Sequence, residues 1–198
     1  MKRPTKKIAH YSALAMGAVA ILPIGCKKDT VVDDPNITVR TLSDITQLVG
    51  TGGVHHGIDI DGNGTKDTYT YVYDTSGFLE SGFYDDGSTG SRVLTEPITN
   101  TLPGVTADFI KAIASGTSIG SSSTTWDSYG YTQGKFGAES VGNFAGLGDK
   151  YVGVKFYIGT AVHYAWILVN LSSDGKTFTV KKVGYNIVAD AAINAGAE

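Results

Sequence analysis

The chain has 198 residues, 41% of them hydrophobic, and its 16 Lys and Arg against 19 Asp and Glu give a formal net charge of −3. An acidic chain without a basic stripe is poorly suited to the phosphate backbone of nucleic acids, which excludes nucleic-acid binding as a function class. The single cysteine, Cys26, has no intramolecular disulfide partner.

The first 26 residues have the layout of a secretory signal peptide. Met1 to Lys7 is basic, an apolar run follows from Ala13 to Ile24, and Gly25 directly precedes Cys26. An apolar run of about 12 residues is too short to cross a hydrocarbon layer of ~30 Å as a helix. The segment resembles the signal peptides of bacterial lipoproteins, which are cut just before a cysteine that carries lipid.

That resemblance implies removal of residues 1–25 and attachment to a membrane through lipid on Cys26, with an unmodified cysteine as the alternative. Because the four basic residues of the leader leave with it, the formal net charge falls from −3 to −7. Residues 26–40 have little apolar content, which predicts a flexible tether. Its start, Cys26-Lys27-Lys28-Asp29, resembles lipoproteins that some Gram-negative bacteria export to the outer face of the outer membrane. The expected location is the bacterial cell envelope, lipid-anchored at the outer membrane and exposed at the surface.

Residues 41–198 are expected to form one β-rich domain. The 26 glycines and the short alternating runs of Tyr, Thr and Val are typical of many short strands joined by tight turns. The predicted fold class is all-β, as a β-sandwich or jelly roll. The clearest predicted strands are Thr68 to Tyr73, Tyr151 to Ile158, Val162 to Leu171 and Thr177 to Val188.

The last three of these strands are expected to form an antiparallel meander. Val162 to Leu171 is apolar on both faces, which predicts a central strand with Trp166 in the core. In the final strand the apolar phase changes near Lys181-Lys182, which indicates a β-bulge there. One short helix is predicted at about residues 105–115, since Val105, Phe109, Ile110 and Ile113 fall on one helical stripe.

The loop from Asp59 to Asp67 carries oxygen-bearing side chains at alternate positions, a pattern that suits a hard cation such as calcium. The predicted ligands are Asp59, Asp61, Asn63, Thr65 through its carbonyl, and Asp67. An EF-hand is excluded because Thr70 stands where a bidentate Glu belongs and a β-run follows. The prediction is a structural calcium loop between strands, with a metal-free Asp/Asn/Gly turn as the alternative.

Two groups of aromatic residues are candidates for ligand contact. Tyr69, Tyr71 and Tyr73 share one face of a predicted strand. Trp126, Tyr129 and Tyr131 lie in a Gly/Ser-rich segment interpreted as a loop, and these three are the predicted ligand-binding residues. Rings displayed on a rigid β-surface can stack on sugars. Core packing is the alternative use of such rings.

Catalytic motifs are weak by comparison. No serine lies in a Gly-x-Ser-x-Gly elbow. A zinc site from His55, His56 and His163 is conceivable, but neighbouring side chains of an extended segment point to opposite faces. No catalytic residue is therefore assigned.

Four segments together resemble a group of uncharacterised secreted or surface β-proteins of bacteria. These segments are Asp59 to Asp67, Gly153-Val154-Lys155-Phe156, His163-Tyr164-Ala165-Trp166 and Ile193-Asn194-Ala195-Gly196. The resemblance implies a surface location and a β-fold and transfers no activity.

The expected function is a non-enzymatic, lipid-anchored cell-surface domain that binds an extracellular partner such as a glycan or a protein. The alternatives are a calcium-dependent carbohydrate-active enzyme and a structural envelope lipoprotein. A flat exposed aromatic strip would favour binding, and paired carboxylates in one cleft would favour the enzyme.

Overall fold

The computed structural model describes residues 34–48, 53–75, 78–99, 106–136 and 139–198. The predicted signal peptide, Cys26 and residues 27–33 of the predicted tether lie outside these ranges. Within them the chain forms strands, turns and bridges and no helix, so the prediction of an all-β fold is confirmed. None of the described residues forms a helix long and apolar enough to cross a membrane.

The residues that the structure describes form fourteen strands. In chain order they are β1 (Ile37–Leu48), β2 (Val54–Ile58), β3 (Thr68–Thr75), β4 (Phe78–Tyr84), β5 (Arg92–Thr99), β6 (Thr106–Ile110), β7 (Ser118–Ile119), β8 (Trp126–Asp127), β9 (Tyr129–Phe136), β10 (Glu139–Gly142), β11 (Asp149–Ile158), β12 (Ala161–Leu171), β13 (Thr177–Asn186) and β14 (Ile193–Asn194). Twelve of them form one sheet in the order β1-β13-β12-β11-β5-β6-β9-β4-β3-β2, with β8 paired to β5 and β10 to β9, while β7 and β14 pair with each other. The sheet is mixed because β6 and β9 run parallel and its other pairs antiparallel.

The large sheet curls on itself at β5, so that its two halves face each other like a sandwich. The first residues of β5 pair with β11 and its later residues pair with β6. The rings of Phe83 in β4 and Phe178 in β13 meet across the interior with centroids 5.8 Å apart. The main core takes buried side chains from both halves, among them Ile58, Val72, Phe83, Ile110, Val154, Phe156, Ile167 and Phe178.

The C-terminal meander is present as predicted. Strand β12 lies between β11 and β13, and both of its faces are buried. Leu168 pairs with Lys182, whereas the next residue, Val169, pairs with Val180. Lys181 is therefore an extra residue, which confirms the bulge and accounts for the change of apolar phase along β13.

A second, smaller core covers the outer face of the meander. Trp166, 1% exposed, lies at its centre and confirms the core prediction. The C-terminal segment supplies Ile193 and Ala195, and strand β7 supplies Ile119. This outer face of the sandwich is thus covered by the chain itself.

The helix predicted at about residues 105–115 is wrong. Residues 106–110 form β6, in which Ile110 pairs with Thr95 of β5, and Ile113 forms an isolated bridge with Tyr151. Val105 lies outside the described residues. Ile110 packs in the main core and Phe109 against Tyr131 on the other face. Because the neighbouring residues Phe109 and Ile110 are both buried, consecutive apolar residues occur there and imitate a helical stripe.

The predicted tether, residues 26–40, extends too far into the chain. Strand β1 begins at Ile37, and Arg40 already pairs with Val183 of β13. Ile37 and Val39 pack against the second core. The backbone N–H of Asp34 also donates to the carbonyl of Glu198 at 3.1 Å. Residues 37–40 belong to the fold because their alternate apolar side chains bury on one face.

Candidate functional site

The half of the sheet that contains β2, β3, β4 and β9 carries a continuous array of aromatic rings on its outer face. Residues that pair directly in antiparallel strands place their side chains on the same face. The pairings His55↔Tyr71, Tyr69↔Tyr84 and Tyr84↔Tyr129 therefore put these residues on one face of β2, β3, β4 and β9. We name as the tyrosine face the residues His55, Tyr69, Tyr71, Tyr73, Tyr84, Tyr129 and Tyr131. The prediction that the three tyrosines of β3 share a face is confirmed.

Glycines on the paired strands leave room for these rings. A Cβ at Gly82 would lie 2.1 Å from the carbonyl oxygen of Gly130 and 2.7 Å from the Oη of Tyr71, so glycine is required there. A Cβ at Gly57 would lie 2.6 Å from the side chain of Lys66 and 3.0 Å from the ring of Tyr69, so both would have to shift. The rings consequently lie along the sheet surface instead of standing away from it.

Ring contacts fix the array. Tyr71 and Tyr129 stack with an interplanar angle of 14° and centroids 5.5 Å apart, and their hydroxyl oxygens are 2.5 Å apart. The imidazole of His55 meets the rings of Tyr73 and Tyr84 edge-on at 5.2 and 5.4 Å. The Nε2 of His55 also lies 2.5 Å from the hydroxyl of Tyr73. Contacts of this kind hold the side chains in place before any ligand arrives.

A cavity of about 280 Å³ opens among these rings. Its walls are His55, Tyr71, Tyr73, Tyr84 and Tyr129, with Asp85 and Ser128. Tyr71 forms the floor and is 1% exposed, whereas Tyr129 is 38% exposed at the rim. Ligand pockets commonly measure ~300–1,000 Å³, so this cavity suits one ring-sized group.

Burial raises the pKa values of four phenols of the tyrosine face. Burial, followed by the interaction with Tyr129, raises the pKa of Tyr71. Burial likewise raises the pKa of Tyr129. The pKa values of Tyr69 and Tyr84 are raised by burial and further by the charge of Asp86. These four phenols are therefore protonated at neutral pH, and that of Tyr71 donates to the hydroxyl of Tyr129.

Three carboxylates surround the array. Asp85 lies in the cavity wall, where its carboxylate accepts a hydrogen bond from Thr89 at 2.7 Å and pairs with Arg92 at 3.3 Å. Glu80 pairs directly with Tyr73, and burial raises its pKa. The pKa of Asp86 lies below its usual range because Ser88 donates to its carboxylate. Negative charge thus borders the rings.

Trp126 lies apart from the tyrosine face, contrary to its predicted grouping with Tyr129 and Tyr131. Strand β8 places it opposite Leu94 of β5, and its ring packs on Tyr164 with centroids 5.9 Å apart. Its Nε1 donates to the carbonyl of Ser123 at 2.8 Å, and the Nζ of Lys155 lies 5.5 Å from the ring centroid. Trp126 is half-buried and seals the second core.

The segment around Gly130 forms strands where a loop was predicted. Tyr129 and Tyr131 lie in β9, and Tyr129 contacts Tyr131 edge-on at 5.0 Å. Gly130 is buried, and a Cβ there would lie 2.7 Å from the side chain of Ile110. Glycine at this position serves close packing between strands and does not mark a turn.

The three aspartates of the predicted calcium loop lie close together. Carboxylate oxygens of Asp59, Asp61 and Asp67 lie within 4.8 Å of one another. The side-chain oxygen of Asn63 accepts the N–H of Thr65 at 2.6 Å, and its amide nitrogen donates to Asp61 at 2.9 Å. The side chain of Asn63 thus turns its nitrogen, not its oxygen, toward the carboxylates.

The pKa values of Asp67 and Asp59 in this loop are shifted in opposite directions. Burial, with the charges of Asp61 and Asp59, raises the pKa of Asp67 from 3.8 to about 6, although the N–H of Ile60 opposes the rise. Burial also raises the pKa of Asp59, but hydrogen bonds from Gly64 and Gly62 and the charge of Arg40 bring it below its usual value. The Nη1 of Arg40 lies 3.7 Å from a carboxylate oxygen of Asp59.

The three histidines considered for zinc are separated. His55 lines the tyrosine cavity, and His56 lines a different cleft between β1 and β2. His163 is buried, and its Nδ1 lies 2.9 Å from the carbonyl oxygen of Asn186. Adjacent side chains of β2 point to opposite sides, as the sequence argument expects.

Sequence reasoning missed His55 and Tyr84 as members of the site. Tyr84 follows Gly82 at a spacing of two, which indicates a shared face along β4. No local pattern pairs β4 with β9, so the meeting of Tyr84 with Tyr129 could not be predicted.

Comparison with protein-family models, curated proteins and solved structures finds no match to this chain.

Proposed function

We propose that the protein is a non-enzymatic, lipid-anchored domain of the bacterial cell surface and that its tyrosine face binds an extracellular glycan. The observation that carries this proposal is the cavity walled by five aromatic rings on an outer sheet face. The other outer face, by contrast, is covered by the C-terminal segment. A glycan site in this cavity needs no rearrangement of the part of the fold that the structure describes.

The chemistry of the cavity suits a sugar ring. Pyranoses have an apolar C–H face that can lie on Tyr84 or Tyr129, while their hydroxyl groups can bond to phenols and to Ser128. The ring contacts that fix His55, Tyr71 and Tyr129 lower the conformational entropy lost on binding. Asp85 already accepts hydrogen bonds from Thr89 and Arg92, which suits a positioning role more than acid catalysis.

A glycan array probed with the soluble protein tests this function. The form used begins at residue 26 and carries Cys26→Ser, because a start at Thr41 would remove the first part of β1. We expect binding to at least one sugar class, and Tyr84→Ala with Tyr129→Ala should lower the signal at least about tenfold, the loss of roughly 1.4 kcal/mol. Trp126→Ala should leave the binding signal in place.

Two outcomes would contradict the glycan proposal. One is the absence of binding to every sugar on an array of host, plant and bacterial glycans, which would favour the structural alternative. The other is a signal that Trp126→Ala removes and the paired tyrosine changes do not. Circular dichroism of each variant confirms that the fold is retained.

The membrane anchor is the second element of the proposal. Lipidation of Cys26 follows from the layout of residues 1–26. Labelling of growing cells with a fatty acid should mark the wild-type protein and not Cys26→Ser. Several acyl chains hold a protein firmly at a membrane. Only Cys26→Ser should therefore be extracted from the membrane without detergent. Equal label on both forms contradicts the anchor.

A structural calcium ion is the third element. Clustered carboxylates of Asp59, Asp61 and Asp67 support it, because a divalent cation would offset the repulsion among them. The ion would stiffen the loop between β2 and β3. Its removal is expected to change stability rather than the chemistry of the tyrosine face.

A further inference from the structure

We propose that the glycan recognised by the tyrosine face carries a positively charged ammonium group, which lies among the rings of the cavity. This inference rests on the proposed glycan function and adds the class of sugar. An unacetylated amino sugar is the ligand that combines both properties.

Aromatic rings surround the cavity from several directions. Tyr71 and Tyr129 stack at 14°, while Tyr71 and Tyr84 are inclined at 60° with centroids 6.1 Å apart. Tyr73 contributes a further ring at 45° to Tyr71. Rings at different inclinations line one volume, which is the composition of the aromatic cages that bind ammonium ions within about 6 Å of a ring centroid.

Fixed negative charge strengthens this preference. Asp85 stands in the cavity wall, where Arg92 at 3.3 Å offsets part of its charge, and Glu80 pairs directly with Tyr73 on the neighbouring strand. After burial, the charge of Asp86 also contributes to the raised pKa values of Tyr69 and Tyr84, so carboxylates at these positions make the potential at the rings more negative. A cation entering the cavity gains from both sources.

An acidic sugar finds no such support there. The groups with ionisable side chains that line the cavity are His55, the four tyrosines and Asp85. His55 is turned toward Tyr73 through its Nε2, and Arg92 outside the wall is paired with Asp85. A carboxylate or sulfate would therefore enter a volume bordered by carboxylates, and no Lys or Arg side chain among the described residues lines its wall.

The test compares two oligosaccharides that differ only in acetylation. The protein as isolated from cells in detergent is titrated with a β-1,4-linked glucosamine tetramer and with the fully N-acetylated tetramer at pH 6. The free amine should bind about tenfold more tightly, within the range of a desolvated cation–aromatic contact. Tetramethylammonium chloride should displace the amino sugar, whereas sodium chloride at equal ionic strength should displace less.

Variants separate the ring from the hydroxyl and from the charge. Tyr84→Phe should keep the preference for the amine, and Tyr84→Leu should reduce it severalfold. Asp86→Asn should also reduce the preference, because it removes a negative charge near the rings. Tyr157→Leu is the matched control because Tyr157 lines a different cleft. Retention of the full preference in Tyr84→Leu and in Asp86→Asn together would overturn the proposed ammonium contact.

The outcomes distinguish this inference from the proposed function. Equal binding of the two tetramers, or tighter binding of the acetylated one, overturns the ammonium proposal and leaves glycan binding intact. Binding of tetramethylammonium without either sugar supports an ammonium site but overturns the amino sugar as its ligand. No binding of any of the three probes overturns the ammonium proposal, whereas the glycan function is overturned only by the absence of binding to every sugar on the array.

Discussion

Trp166→Ala should lower the free energy of unfolding by about 3–5 kcal/mol, the usual loss for a large buried aromatic side chain. The ring is 1% exposed and lies edge-on to Tyr151 with centroids 5.4 Å apart. It also occupies the space above Gly184, its direct partner on β13. Urea denaturation of both forms, followed by far-ultraviolet circular dichroism, measures the difference.

Two other changes serve as controls for Trp166. Trp166→Phe should cost much less than the alanine change, because the ring contacts are largely kept and the indole N–H finds no acceptor among the described residues. Trp126→Ala should also cost less, since that ring is only half-buried. A Trp166→Ala protein as stable as the wild type would show that the second core is not a core.

Calcium should stabilise the folded domain by about 2.7 kcal/mol when it is present at 100 times its dissociation constant. Asp67→Asn should abolish that gain, because it removes one of the three clustered carboxylates. Thermal unfolding of metal-stripped protein, with calcium and with a chelator, measures the gain. Melting indifferent to both would contradict the calcium proposal.

The metal-free protein should show a pH dependence that Asp67 controls. The pKa of this residue is about 6 in the fold against 3.8 ordinarily, so the native state holds the proton more tightly. Protonated Asp67 therefore stabilises the fold fully below pH 3.8, and this stabilisation is lost as the pH rises through about 6. In chelator, Asp67→Asn should therefore exceed the wild type in stability at pH 8 by on the order of 1–3 kcal/mol. Equal stability of the two forms at pH 8 would contradict the shift.

The C-terminal half of the fold could be predicted because its information is local. The alternation of Val152, Val154 and Phe156, the two turns and the apolar β12 specify a meander through contacts close in sequence. The path of β5 could not be predicted, since its pairing with both β11 and β6 depends on the whole curled sheet. The helix wrongly predicted at β6 has the same origin, because the pairing of β6 with β5 and β9 also depends on the whole sheet.

The candidate site was predictable only in part. Alternation places the tyrosines of β3 on one face, and the structure confirms it. Their contact with Tyr129 depends on the pairing of β4 with β9, in which Tyr84 pairs with a residue 45 positions later in the chain. Trp126, although close to Tyr129 in sequence, joins β5 on the other half of the sheet. Sequence proximity was therefore a poor guide to shared location.

The most direct test of glycan binding at the tyrosine face is a titration that compares two tyrosines of equal exposure. Tyr129 and Tyr157 are each 38% exposed, but Tyr129 lines the tyrosine cavity and Tyr157 does not. With the best glycan from the array, Tyr129→Ala should weaken binding at least about tenfold and Tyr157→Ala should leave it within about twofold. Equal losses in both variants, or a loss only in Tyr157→Ala, would contradict a binding site on the tyrosine face.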